Sequence, residues 1–188
     1  MKKLFLVLVM LISISVTKAN AQRYLPKMKG LELRGGIVNG FTNLKNFYTG
    51  LALSSYTMHK NRWIFGMEYL QKEYAYKELM LPKSQFTAEA GYYYMFLSDP
   101  RKMFFLSIGG SELLGYETSN WGEKLLYDGA TLMNNDAFLY GGAITFEIEN
   151  YISDKIVLLV NARERILFGS SIGKFHTQIG LGLKFIIN

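Results

Sequence analysis

Apolar and polar residues alternate along most of the chain after residue 30. The pattern is clearest near the end, where Phe175, Ile179 and Leu181 share one face and His176 and Gln178 share the other. A period of two is typical of a β-strand whose two faces meet different surroundings, and turn-forming residues separate one such stretch from the next. The alternation predicts eight strands, at residues 31–38, 47–57, 62–72, 85–96, 102–110, 136–149, 155–166 and 174–186.

The connections between these predicted strands alternate in length, because each odd-numbered connection is longer than every even-numbered one. Pro26, Pro82 and Pro100 fall outside the predicted strands, as expected for a residue that cannot donate to a strand ladder. Short turns at one end and longer loops at the other are typical of membrane barrels with both termini at the short-turn end. The sequence therefore predicts an all-β fold, an eight-stranded antiparallel up-and-down transmembrane β-barrel of the outer-membrane type.

The polar faces of the predicted strands carry charges that are close to balance, five acids and four bases. An eight-stranded barrel is just wide enough for side chains to fill it, and buried charges must be paired, so we expect a plugged interior rather than a pore. Alternation by itself does not tell inside from outside. A soluble periplasmic β-sandwich or lipocalin-like barrel with an aromatic core therefore stays open. The expected lumen charge network comprises Glu32, Arg34, Glu68, Glu89, Glu147, Glu149, Arg163, Arg165 and Lys184.

The first residues have the pattern of an export signal. Lys2 and Lys3 precede an uncharged apolar stretch at 4–17, which is shorter than the roughly 20 residues of a membrane-spanning helix. Ala19 and Ala21 form a small-x-small cleavage site, so we expect the mature chain to start at Gln22. The sequence thus predicts a signal peptide at residues 1–21 and a single barrel domain at 22–188, with a long surface loop at about 111–135.

Composition removes several functional classes. Because the chain has no cysteine, disulfides, thiolate metal sites and a lipid-modified N-terminal cysteine are excluded. Cleavage would remove three lysines and no acid, which lowers the net charge from +6 to +3 and weakens any case for nucleic-acid binding. The two histidines, His59 and His176, are not spaced for a metal or for a nucleophile pair. We expect no enzyme, no cofactor and no small-molecule substrate.

The predicted loop at 111–135 contains more large apolar residues than an idle polar loop would have. It is interpreted either as an exposed contact surface or as a flap that packs over the barrel mouth. The candidate contact residues are Tyr116, Trp121 and Tyr127.

The final predicted strand resembles the assembly signal of bacterial outer-membrane barrels. Gln178, Gly180, Leu183 and Phe185 give its pattern of a polar residue, a glycine and alternate hydrophobic residues ending in an aromatic one. The chain departs from that signal because it continues for three residues, to Asn188.

Several stretches of the mature chain resemble the conjugal transfer protein TraO family of the conjugative transposons of Bacteroidota. They are QRYLPKM (22–28), LELRGG (31–36), FGMEY (65–69), GYY (91–93), LGYE (114–117), FLYGG (138–142), VNARER (160–165) and GKFHTQIG (173–180). The resemblance implies a component of an envelope-spanning conjugation apparatus, with outer-membrane lipid and other conjugal transfer proteins as partners. It carries over no catalytic residue.

The sequence therefore favours a non-enzymatic outer-membrane component of a conjugative transfer apparatus, which acts as a structural anchor or as a surface contact. A free-standing surface binding protein or adhesin is the alternative, and the periplasm is the alternative location.

Overall fold

Eight antiparallel strands follow one another around a closed barrel, and β1 completes it by pairing with β8. The structure is a computed structural model, and it describes residues 27–40, 45–76, 79–123, 131 and 136–187. The predicted fold is thereby confirmed. The strands are β1 (Lys29–Val38), β2 (Phe47–Tyr56), β3 (Arg62–Tyr76), β4 (Leu79–Ser98), β5 (Phe104–Ser119), β6 (Ala137–Tyr151), β7 (Ile156–Phe168) and β8 (Phe175–Ile187).

The two ends of the barrel differ. The connections at 57–61, 99–103 and 152–155 lie at the end where Lys29 pairs with Ile187, which we call the short-turn end. The connections at 39–46, 77–78, 120–136 and 169–174 lie at the other end, which we call the loop end. No helix among the described residues is long and apolar enough to cross a membrane.

Strands β3 and β4 continue well beyond their predicted ends. Residues 73–76 and 79–84 belong to this hairpin and not to a loop, so the expected order of connection lengths is wrong at the third connection. Pro82 lies inside β4, opposite Glu73, against the prediction that all three prolines avoid strands. The pairing of β4 with β5 begins only at Lys83. Pro82 therefore stands on a free strand edge, where its missing donor removes no ladder hydrogen bond.

Strand β5 extends to Ser119 and takes up residues 111–119 of the predicted loop. The long connection is therefore 120–136 and not 111–135. Leu113 points inwards and Leu114 points outwards, so two large apolar residues are consecutive in the sequence. This interrupts the alternation of apolar and polar residues and hides the strand. A short 3-10 turn at Asn120–Gly122 follows the strand.

Side chains that point into the barrel are mostly polar, and those that point outwards are mostly apolar. On β7 the inward positions run from Val157 and Leu159 through Asn161, Arg163 and Arg165 to Leu167. Charged residues thus occupy the middle of the interior, with apolar residues nearer both ends. The buried apolar clusters at the ends are Phe105, Tyr151, Val157 and Leu159; Leu113, Leu139, Ala143 and Leu167; and Val38, Tyr48, Leu70 and Ile172.

Candidate functional site

One half of the interior charge cluster lies towards the short-turn end. Arg62, at the first position of β3, contacts Glu147 and lies 2.9 Å from Glu149. Lys184 of β8 contacts Glu149 and donates to the Tyr56 hydroxyl at 2.7 Å, while that hydroxyl donates to Glu149 at 3.0 Å. The ionised side chains of this group are fully buried. Each carboxylate thereby meets a cation away from water, as buried charge requires.

The other half lies towards the loop end. Arg163 reaches Glu89 at 2.7 Å and Glu68 at 3.3 Å, and Arg165 reaches Glu68 at 2.8 Å. Gln178 donates a further hydrogen bond to Glu68 at 2.7 Å. The alternation of β7 brings the two arginines to the same face, since the residue between them points outwards.

Arg34 joins the two halves. Its guanidinium contacts Glu32 and lies 3.6 Å from Glu147 and 3.9 Å from Glu89. Glu32 in turn lies 3.0 Å from Lys184. Through these contacts, five carboxylates and five cations form one continuous network of balanced charge across six strands.

Arg62 belongs to this network but is not among the expected lumen charges. The signal was present, because Arg62 lies two positions before Ile64 and six before Glu68 and so shares their inward face. Its place at the first position of the strand, next to a turn, hides it from the alternation. Arg62 supplies the fifth cation and brings the charges into balance.

A second polar cluster, also absent from the sequence analysis, lies at the loop end. Glu117 of β5 accepts hydrogen bonds from Gln85 at 2.8 Å, from the Ser170 hydroxyl at 2.8 Å and from the Ser171 backbone at 3.0 Å. Tyr74 of β3 donates to the Ile172 carbonyl at 3.4 Å. These bonds tie the connection between β7 and β8 down onto β3, β4 and β5. Glu117 falls within the predicted loop at 111–135, and only its place in β5 shows that it points inwards.

The candidate contact residues lie on the outer wall of the barrel at this end. Tyr116 points outwards from β5 and donates to Asp136 at 2.6 Å. Trp121 is 61% exposed and stacks on Tyr69, with ring centroids 6.3 Å apart. The start of the connection thus packs on the outside of β3, while Tyr127 lies outside the described residues.

The residues of the proposed assembly signal occupy both faces of β8. Gln178 and Gly180 point into the barrel, and Leu183 and Phe185 point outwards. Gly180 lies directly against Tyr48, whose hydroxyl donates to Asn161 at 2.8 Å. The proposed cleavage residues Ala19, Ala21 and Gln22 lie outside the described part of the chain.

The histidines do not come together. His59 lies in the short turn at 57–61, and His176 is fully buried in β8. Within the described ranges, no three side chains of the types that bind metals are grouped closely enough to hold an ion.

One family model and two solved structures are similar to this chain. The family model described as "Conjugative transposon protein TraO" matches residues 25–187. Neisserial surface protein A is similar in structure, with a TM-score of 0.58 and 10% identity over 85% of this chain and 96% of the other. The N-terminal β-barrel domain of Pseudomonas aeruginosa OprF gives a TM-score of 0.48 and 10% identity over 85% and 98%. The comparison with curated proteins found no match.

Proposed function

Since the chain belongs to the conjugative transposon protein TraO family, we propose that it is a non-enzymatic outer-membrane anchor of a conjugative transfer apparatus. The observation that carries the proposal is the barrel itself, with an apolar outer wall and an interior filled by a balanced charge network. Such a barrel spans a bilayer with its apolar side chains towards lipid and its charged side chains paired inside. It supplies a fixed point in the envelope to which other transfer proteins attach.

The filled interior supports an anchoring role over a conducting one. Eight strands leave an interior that side chains fill, and here Arg34 and Arg163 each hold carboxylates from different strands together. Passage of a DNA strand would require the ion pairs that cross this interior to open. In this proposal DNA takes a route outside the barrel lumen.

The two ends have different roles in the proposal. Short turns face the periplasm in barrels of this type, and longer loops face the outside. The short-turn end would therefore face the rest of the apparatus, with exposed Arg101 and Lys155 available for contact. The loop end would face the recipient cell.

A second candidate function is a free-standing surface binding protein or adhesin. It is favoured by one observation, the exposed Trp121 that stacks beside Tyr69 on the outer wall. An exposed aromatic group of this kind is common at protein contact sites. An adhesin would act without contacts at the short-turn end, and this separates the two candidates.

The test is complementation of a donor strain that lacks the gene. One variant carries Arg101→Glu and Lys155→Glu at the short-turn end, and the matched control carries Lys174→Glu at the loop end, which is equally exposed. We expect the first variant to lower transfer frequency by about tenfold or more, the effect of losing one charged contact, and to reduce co-purification of other transfer proteins. Both variants should reach the outer membrane in normal amounts. The anchor would be rejected in favour of the adhesin by two results together. The first variant would transfer at the full frequency, and no transfer protein would co-purify with the wild-type protein.

A further inference from the structure

The outer wall of the barrel carries two carboxylates in the middle of its apolar band. Glu112 points outwards from β5 between Ile108 and Leu114, and Glu164 points outwards from β7. The outward positions on either side of Glu164 are Ala162 and Ile166. Lipid-facing carboxylates at mid-strand are costly, and ionisable residues at such positions commonly have a function.

The two carboxylates flank a single strand. Glu112 pairs with Gly142 of β6, while Glu164 pairs with Ile144, two positions along the same strand. Glu112 makes no hydrogen bond or ion pair with any described residue. Glu164 accepts one hydrogen bond from the Thr177 hydroxyl at 2.6 Å. The pair therefore retains acceptor capacity directed away from the barrel.

The wall around these residues is recessed. A groove of about 800 Å³ runs over the outer wall from β3 to β7, and both carboxylates line it together with larger residues such as Trp63 and Phe168. Its floor is formed by small residues, and a side chain added at Gly110 would meet no atom within 4 Å. Small residues allow another backbone to approach closely within a membrane.

We propose that this groove docks a membrane-embedded segment of another envelope protein that carries an arginine or lysine at the depth of Glu112 and Glu164. A basic side chain there would pair with the carboxylates and remove their exposure to lipid. The proposal goes beyond the anchoring function, since it places a partner on the side wall of the barrel and not at either end.

A second copy of this chain does not fit the groove. A two-fold contact through the same face would bring the carboxylates of both copies together. In the described part of the chain, the basic residues on the outer surface lie at strand ends or in connections, as Lys29, Lys45 and Lys174 do. None lies at the depth of the carboxylates. Anionic lipid headgroups are excluded by the same like-charge repulsion.

Site-specific photocrosslinking in cells that carry the complete conjugative element tests the proposal. A photoreactive residue replaces Ile144 between the two carboxylates, or Leu181 on β8 as the matched control outside the groove. We expect a heterologous protein adduct from position 144 and none from position 181. The pair Glu112→Gln and Glu164→Gln should lower the adduct yield by about tenfold, the loss expected for one charged contact. Glu123→Gln, an exposed carboxylate beyond the end of β5, should leave the yield unchanged.

The identity of the contact is tested by charge exchange. Mass spectrometry of the adduct should place the crosslink in a membrane-embedded segment with an arginine or lysine. Reversal of that residue to glutamate should abolish the adduct, and Glu164→Lys in the same cells should restore it. An adduct that is unaffected by the two Gln substitutions, an adduct between two copies of this chain, or adducts with lipid alone would each overturn the proposal. Barrel insertion of each variant is measured separately by gel mobility, which reports on the fold.

Discussion

At the scale of single residues, the interior is governed by charge pairing. Arg62 faces two carboxylates and also lies over the ring of Tyr93, with its guanidinium carbon 4.8 Å from the ring centroid. Guanidinium groups suit such sites because one group donates to several acceptors in a fixed plane. If one member of an ion pair is removed, its partner stays charged and away from water. The free-energy cost of this unpaired charge is larger than the stabilisation that the pair contributed.

Arg62→Ala should therefore destabilise the barrel by about 3–5 kcal/mol, because Glu147 and Glu149 would lose their shared cation. The measurement is urea unfolding of the detergent-folded protein, followed by the gel mobility of unboiled samples. Arg62→Lys should lower the free energy of unfolding by less, since lysine keeps the positive charge. Arg101→Ala, at an exposed turn position, serves as the control and should change little. Equal urea unfolding midpoints for Arg62→Ala and Arg101→Ala would show that the ion pairs of Arg62 do not stabilise the barrel.

Gly180 gives a second prediction at this scale. A Cβ atom there would clash with the Tyr48 hydroxyl oxygen and would lie 2.6 Å from the Gly35 carbonyl oxygen. Gly180→Ala should force Tyr48 away from Asn161 and cost about 1–3 kcal/mol in unfolding free energy, as overpacking typically does. Gly110→Ala, which would meet open space, is the control and should be close to neutral.

The same variant separates two roles for Gly180. If the glycine is needed for packing, Gly180→Ala is less stable after refolding in detergent as well as in cells. If it acts only as part of an assembly signal, the refolded variant keeps wild-type stability and only insertion in cells fails.

At the scale of elements, β5 has to be distinguished from the connection that follows it. Its second half pairs with β4 from Ser111 to Ser119 and with β6 from Ser111 to Glu117. Those residues close the barrel wall, whereas the residues after Gly122 lie beyond the strand. The boundary near residue 120 thus separates wall from loop.

Replacement of residues 123–135 by a Gly-Ser linker of about five residues, a length that suits a hairpin connection, should leave barrel closure intact. Deletion of 111–135 should abolish it, because half of β5 is removed. Heat-dependent gel mobility after refolding distinguishes the two outcomes. A folded barrel from the longer deletion would show that the second half of β5 is dispensable for closure.

At the scale of the whole molecule, the protein has its polar groups inside and its apolar groups outside. Residues such as Leu51, Phe65 and Leu181 are more than half exposed, which in water would be an extensive apolar patch. A bilayer is the solvent that suits this surface, and a closed barrel leaves no unpaired strand edge within it.

The unboiled, detergent-extracted protein should therefore run faster than the boiled protein on a gel and should fractionate with the outer membrane. Its N-terminal residue should be Gln22, as determined by N-terminal sequencing. A soluble periplasmic protein with no mobility shift would mean that the apolar faces are buried in a core, as in the sandwich alternative.

The sequence by itself determined the strand number, which side chains share a face of each strand, and most members of the charge network, while the closed barrel decided which face points inwards. It did so because a period of two is a local property of the backbone: once Glu68 is assigned to one face of β3, Ile64 and Arg62 follow. The family resemblance was also a property of the sequence, and the match over residues 25–187 confirms it.

Only the tertiary structure decided where β3, β4 and β5 end, which charges meet, and that Glu112 and Glu164 flank the same strand. Strand ends depend on whether a neighbouring strand continues to offer partners, as the free edge at Pro82 shows. The ion pairs depend on register around the closed ring, which brings Arg34 of β1 to Glu89 of β4 and Glu147 of β6. These relations join residues far apart in the chain, and no local periodicity contains them.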